Sequence, residues 1–412
     1  MKMNPKNYSL LAVGLLLLGG ITASSGGNKT APSPPTVVYP TGVWPADVLN
    51  VRAAVTGGGT VLLKATNSVG QPTAFNFGTP ENLPTRSFAM TTDVSIVGET
   101  VGPHITTIQG GEYPARGEVP VKSSIQGIYF NGPLGAAILI HASTGCEIVG
   151  NRISDVVPVD DSNPFFGNFT GADGIDFFGT ADPLHAITGK VRVAGNLIQN
   201  LPGDFVNAIQ FDEVAAASEI TGNTINLGPG EHSISGIGIN VFRSHNSVLI
   251  DQNVLGPDMA TNGIAFAGEH EAAYVVSQNT ISCQSPNATG ILVDGGEDLA
   301  GSEGTIGAVV EKNNLTMHNS QFAAVALFGL VTNTLVGENK IDGDGVFALL
   351  ADGIDPDLAS FNRFQGNNIS HFTSSVADVY FGPGSHNNVL VGHCDSIIDQ
   401  GVNNSATCGA PH

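Results

Sequence analysis

Apolar and polar residues alternate with a period of two over short stretches of this chain, and the stretches recur. One of them reads as alternating apolar residues, a polar pair ending in asparagine, one further residue and an apolar one. It runs through Glu147–Ile153, Arg192–Ile198, Glu219–Ile225, Val248–Leu255, Tyr274–Ile281, Ala308–Leu315, Thr334–Ile341 and Arg363–Ile369, with Leu390–Ile397 as a degenerate ninth copy. Its asparagines are Asn151, Asn196, Asn223, Asn253, Asn279, Asn313, Asn339 and Asn367, and after a first interval of 45 residues they follow one another every 26 to 34. A second alternating stretch precedes most of them: Asp173–Phe177, Asn207–Phe211, Ser235–Ile239, Asn262–Phe266, Thr289–Val293, Ala323–Leu327 and Phe347–Ala351. Period-two alternation indicates strands, and a fixed repeat of this length indicates a stacked architecture. The pattern predicts a parallel β-solenoid whose coils, about 4.8 Å apart, share one continuous core. Each asparagine is expected to accept the left-handed backbone of a sharp turn, its amide bonding to the same turn in the coils above and below. That is a structural role, and no catalytic one is assigned to them.

This repeat resembles the right-handed parallel β-helix of the pectin lyase-like superfamily, over about residues 40–400. The resemblance implies an all-β fold, a right-handed parallel β-helix (solenoid) with a short N-terminal capping helix. Trp44 to Val55 matches that helix, and Gly57–Leu63 reads as the first coil strand after it. A cap is needed because the open end of a solenoid exposes unpaired strand edges.

Composition adds compartment and partner. Hydrophobic residues make up 41% of the 412, so the chain is not mainly disordered. The formal net charge of −21 argues against nucleic-acid binding, which needs a basic surface. Lys2 and Lys6 precede the apolar run Leu10–Gly20 and the small residues Thr22 and Ala23, which is the pattern of a signal peptide over residues 1–23. At about 11 residues the run is too short to span a bilayer. Ser24 to Pro35 reads as a flexible linker, leaving residues 36–412 as the β-helix domain, extracellular or periplasmic, without a membrane span and monomeric. Export permits disulfides. Cys394 and Cys408 are the pair expected to bond, whereas Cys146 and Cys283, four coils apart at about 19 Å, lie beyond disulfide reach.

Chemistry must come from side chains facing outward and from the loops. Asp173 and Asp176 lie in the segment Ala172–Asp176, Asp204 follows Gly203 one coil later, and His232 follows Glu231 in the next. This order resembles the polygalacturonase family of glycoside hydrolases, with its Asp-Gly-Ile-Asp, Gly-Asp-Asp and Gly-His-Gly segments. The resemblance implies Asp173 and Asp204 as the carboxylates and His232 as the supporting histidine, with Asp176 beside them. The chain departs from that family at Phe205, where a second aspartate is expected, at Gly171-Ala172, where Asn-Thr is expected, and at Asn262–Phe266, which lacks the basic Arg-x-Lys. Inverting hydrolysis needs one carboxylic acid and one carboxylate about 6.5–9.5 Å apart, a separation that neighbouring coils can provide.

A lyase would use a basic residue, for which Arg243 beside His245 is the best placed. Glu269, His270 and Glu271 form a secondary cluster, and Phe165, Phe166 and Phe169, in the long loop after Ile153 that also carries Asp160 and Asp161, offer rings for stacking on sugars. No zinc motif or phosphate-binding loop is present, and no cofactor is expected. Calcium would enter only with elimination chemistry, through acidic turns such as Asp294–Asp298, Asp342–Asp344 or Asp352–Asp357, which read more simply as solvated turns. The acid excess would repel a polyuronate unless cations or a local basic patch intervene, so neutral glycans are at least as well suited. Two functions follow: an enzyme cleaving an extracellular polysaccharide, hydrolase ahead of lyase, or a non-catalytic surface or structural protein that binds glycans along the rod.

Overall fold

The computed structural model describes residues 33–409, apart from 80–85, 164–166, 181, 230–231, 233, 269–273, 296–303 and 354–357. The body Pro35–His412 is a single unit built on parallel strands. Residues 1–32, with the expected signal peptide and most of the linker, lie outside the described residues.

The strand ahead of each asparagine belongs to one 14-stranded sheet, which climbs the molecule one rung per coil from Thr36–Val38 to Ser405–Gly409. Its register stacks like on like. Ile96, Ile125, Ile148, Val193, Ile220, Ile250, Val276 and Val310 are consecutive partners, all fully buried. Burying such a β-branched column contributes about 1.5–3 kcal/mol per side chain relative to exposure. The short strands after the asparagines and the longer strands of the second stretch complete each coil in a 22-stranded system. Fully buried phenylalanines reinforce the interior, as where the rings of Phe177 and Phe211 meet at 4.9 Å.

The asparagine column is continuous from Asn151 to Asn367. Each backbone N–H, and each side-chain amide, donates to the Oδ1 of the asparagine in the next coil at 2.9–3.1 Å. The same Nδ2 groups also donate backward to backbone carbonyls such as those of Ile148, Val193 and Ile220. One expectation needs correcting. The left-handed backbone is carried by the residue before the asparagine, at Gly150, Gly195, Gly222 and Gly366 and also at Gln252, Gln278, Lys312 and Glu338, with φ between +54° and +65°. The chain reverses one residue early, which leaves the asparagine free to aim its amide along the column. A second, shorter column at the C-terminal end was not foreseen. Thr334, Asn362 and Asn388 each donate their backbone N–H to the next Oδ1, ending at Asn404. It spans too few coils to register as a repeat.

The capping helix is Ala46–Thr56. Val48, Val51 and Val55 are fully buried against the first coils, and Asp47 is buried as a hub. Its carboxylate accepts the backbone N–H groups of Thr41, Gly42 and Asn76 and the Thr41 hydroxyl. Gly59–Leu63 is the second rung rather than the first, because Thr36–Val38 pairs along its outer edge. Three residues are too few to show an alternation in the sequence.

Cys394 and Cys408 are disulfide-bonded, with Cα atoms 5.4 Å apart, and tie the last two rungs together. Closing a loop of 14 residues contributes about 3 kcal/mol. Because coils contact only their neighbours, the loss in a Cys394→Ser/Cys408→Ser variant should be local. Amide exchange is expected to accelerate in Ser405–Gly409 while the middle coils keep their protection. Cys146 and Cys283 are free and buried, and burial pushes both thiols up to about 12. A thiol-reactive dye should therefore label neither until the protein is unfolded.

Candidate active site

The strands of the second stretch turn alternate side chains outward, so the register fixes what stands beside what on that face. One outward row runs Arg116, Leu139, Asp176, Gln210, Asn240, Ala265, Leu292, Ala326, Leu350 and Tyr380, one residue per coil. Another places Phe178, Asp212 and Phe242 side by side. Asp173 is level with Asn207. The middle of the face is thus acidic and amide-rich, and its C-terminal third is apolar.

Asp176 is the centre of this arrangement. Its Oδ1 is buried without a hydrogen-bond partner. Burial, followed by the charges of Asp173 and Asp212, raises its pKa well above the ordinary carboxylate value, so the proton is retained where a free aspartate would have lost it. Asp212 stands one coil on and two residues along, about 8 Å away between Cα atoms on standard strand spacings. It is buried, and that burial raises its pKa although Arg243 pulls the other way. The Arg243 Nη2 donates to both Asp212 oxygens at 3.2 and 3.4 Å, while its Nη1 lies 3.2 Å from Glu213. Its guanidinium also sits over the Phe242 ring, 4.8 Å from the centroid. The Oδ1 of Asp173 accepts the backbone N–H of Asn207 at 3.0 Å and its side-chain amide at 3.2 Å. That amide donates in turn to Gln210. On the N-terminal side, Glu118 joins Arg116 and His141, and the His141 ring meets Phe178 edge-on at 6.2 Å.

The other expected residues are placed as follows. Asp204 is level with Thr170, three positions short of Asp173 along the strand direction. Its Oδ2 accepts both the backbone N–H and the hydroxyl of Thr170 at 2.9 Å, which fastens the entry of one coil to the next. His232 donates from Nδ1 to the Gly203 carbonyl at 3.0 Å, leaving Nε2 buried without a partner. It borders a cavity of about 440 Å³ with Asp258, Thr261 and Gln284, at the strand entrance and apart from the Asp173–Asp176–Asp212 group. His245 is exposed just beyond Arg243. The long loop is an antiparallel hairpin, Val159–Asn163 against Gly167–Phe178, with Asp160 exposed beside Thr170 and Asp161 level with Phe169. Phe165 and Phe166, the Asp161 and Phe169 side chains, and Glu269, His270 and Glu271 lie outside the described residues. Asp212 was not foreseen. The signal was available, because aligning Asp173–Phe177 with Asn207–Phe211 puts Asp212 beside Phe178.

A groove of about 710 Å³ on the outer face of the 14-stranded sheet carries Lys122, Lys190 and Arg192, but the latter two already pair with Glu219. Among the described residues no group of three acidic, histidine or cysteine side chains is placed to hold a metal ion, and no helix is long and apolar enough to cross a membrane.

Coils, sheets and cap make this chain a right-handed parallel β-helix. By sequence, no protein family and no curated protein matches it. By structure it is similar to the Agl-KA catalytic domain, with a TM-score of 0.53, 13% identity, and coverage of 92% of this chain and 69% of that one. It is also similar to the catalytic unit of a GH87 α-1,3-glucanase from Streptomyces thermodiastaticus, with a TM-score of 0.50, 15% identity, and coverage of 93% and 70%. A third similar structure is the A-module of the mannuronan C-5 epimerase AlgE6 from Azotobacter vinelandii, with a TM-score of 0.50, 12% identity, and coverage of 88% and 96%. At these identities the likeness is one of fold.

Proposed function

We propose that the protein is an exported carbohydrate-active β-helix enzyme that hydrolyses an extracellular polysaccharide at the face around Asp176. The observation that carries this reading is the orphaned, buried Oδ1 of Asp176 between two further carboxylates. A carboxyl that keeps its proton is the general acid that glycosidic cleavage needs at the leaving oxygen. Asp173, its Oδ1 fixed by Asn207, is the carboxylate that activates water. Asp212, held by Arg243, supplies the charge that helps keep Asp176 protonated. Hydrolysis is favoured over elimination because the Arg243 guanidinium is already engaged by Asp212 and Glu213, and so is poorly placed to neutralise a uronate. The named enzymes of similar fold, a glucanase and an epimerase, act on polysaccharides, which agrees with this substrate class.

The test is a panel of neutral and acidic polysaccharides, read both by new reducing ends and by the absorbance of unsaturated products. Reducing ends without unsaturation, lost in Asp176→Asn, are the expected result. Unsaturated products would replace hydrolysis by elimination. Inactivity across the panel, with binding retained, would favour the non-catalytic role.

A further inference from the structure

The C-terminal third of the same outer face breaks the rule that solvent-facing strand positions are polar. Ala323, Ala326 and Leu350 are buried there outside the solenoid's own core, and Leu292, Phe322, Phe328, Phe347 and Tyr380 pack against them while remaining partly exposed. The rings of Phe347 and Tyr380 stack face to face 4.8 Å apart with an interplanar angle of 19°, forming the rigid centre of an apolar shelf across adjacent coils. The Tyr380 hydroxyl is tied to Gln400, which fixes the ring. Asp294 and Asp352 flank Phe328 in the neighbouring row.

We propose that this shelf binds an uncharged glycan chain lying along the rod, as a remote subsite of the acidic site; the proposal rests on the polysaccharide reading above and adds the substrate's length and charge class. Three observations support it. The shelf lies in the same outward row as Asp176, so one extended chain can touch both. Seven coil steps separate Asp176 from Tyr380, a span of about 34 Å at strand spacing. One coil step is close to the length of one sugar in an extended chain, so the span corresponds to about seven units. The partly exposed apolar strip of Leu292, Phe322, Phe328 and the stacked pair suits the C–H groups of pyranoses, while the flanking aspartates and the net charge of −21 disfavour a polyanion.

The experiment uses the full chain carrying Asp176→Asn, so that binding is read without turnover. Affinity electrophoresis and calorimetry would be run with dextran, laminarin and soluble xylan, with polygalacturonate as the anionic comparator, and then with size-fractionated oligosaccharides of the glycan retained. Retention by at least one neutral glycan is expected, with affinity rising until the chain reaches about seven units. Phe347→Ala/Tyr380→Ala should weaken binding about tenfold or more. Phe347→Leu/Tyr380→Leu, which keeps the shelf apolar but removes the rings, should do the same in a protein that still melts cooperatively.

Several results would overturn the proposal: unchanged affinity in both double variants, no retention by any neutral glycan, or tighter binding of polygalacturonate. Self-association in sedimentation that disappears in the variants would assign the shelf to a second copy of the chain and overturn it too. A wild type that binds through the shelf but cleaves nothing would sink the catalytic reading alone.

Discussion

Asp176→Asn is expected to abolish glycan cleavage and, at the same time, to make the protein more stable above neutral pH. The two effects have one cause. Asp176 keeps its proton because burial and the charges of Asp173 and Asp212 penalise the ionised form. Asparagine has the same shape and no charge, so it removes the penalty together with the transferable proton. Loss of a positioned general acid lowers turnover by about a hundredfold or more. A merely structural aspartate would show no such fall, and a damaged fold would show it together with a lower melting temperature.

The pH dependence gives a second readout. A carboxyl whose folded pKa lies above its unfolded value, about 3.9, binds its proton more tightly in the native state. Its contribution is most favourable below that unfolded value, declines as pH rises through the folded pKa, and is constant above it. The melting temperature of Asp176→Asn should exceed that of the wild type by about 2 °C or more at pH 8, and the difference should close as pH falls toward about 4. Wild-type activity should fall on the alkaline side as Asp176 deprotonates. A variant that melts lower than the wild type at pH 8 would remove the basis for placing the proton on Asp176.

How much of this was legible in the sequence depends on what the repeat could carry. The strands, their stacking and the eight-membered asparagine column were readable, because an inward asparagine at a fixed spacing leaves few alternatives once apolar residues surround it. The second column at Asn362, Asn388 and Asn404 was not, since it recurs only over the last coils. The site was half legible. Asp173 and Asp176 were named from their segment, but their neighbour across the rung is a matter of register, and a family pattern drew attention to Asp204, whose Oδ2 is held by Thr170. Asp212 is the last residue of its strand and became visible only when Phe178 and Asp212 were paired. The aromatic shelf left a subtler trace. Leu292, Ala326 and Leu350 are apolar at positions that alternation assigns to solvent, a mismatch that counts as signal only once the inward side is known.

Asn253→Ala should cost about 4 kcal/mol of stability, as should the same change at its equally buried neighbours in the column. Asn253 is fully buried in mid-column. Its Oδ1 accepts both the backbone N–H and the side-chain amide of Asn223, at 2.9 Å each. Its Nδ2 donates to the Ile220 carbonyl at 2.9 Å and to Asn279 at 3.0 Å. Alanine cannot replace any of these, so a backbone N–H and a carbonyl are stranded in a fully buried site, each at about 1–3 kcal/mol. Asn253→Asp preserves the acceptor but loses both donors and buries a charge, so it should cost at least as much at neutral pH. Asn246→Ala, at an exposed loop position nearby, should stay within about 0.5 kcal/mol. Denaturant unfolding followed by circular dichroism distinguishes the cases, and equal small losses at Asn253 and Asn246 would show that the column is decoration rather than support. Because coils are coupled only to their neighbours, the damage should spread first to the rungs bearing Asn240 and Arg243 on one side and Ala265 on the other. The acidic site would then lose order from its C-terminal edge, and activity in Asn253→Ala should decline with the folded fraction rather than through a changed KM.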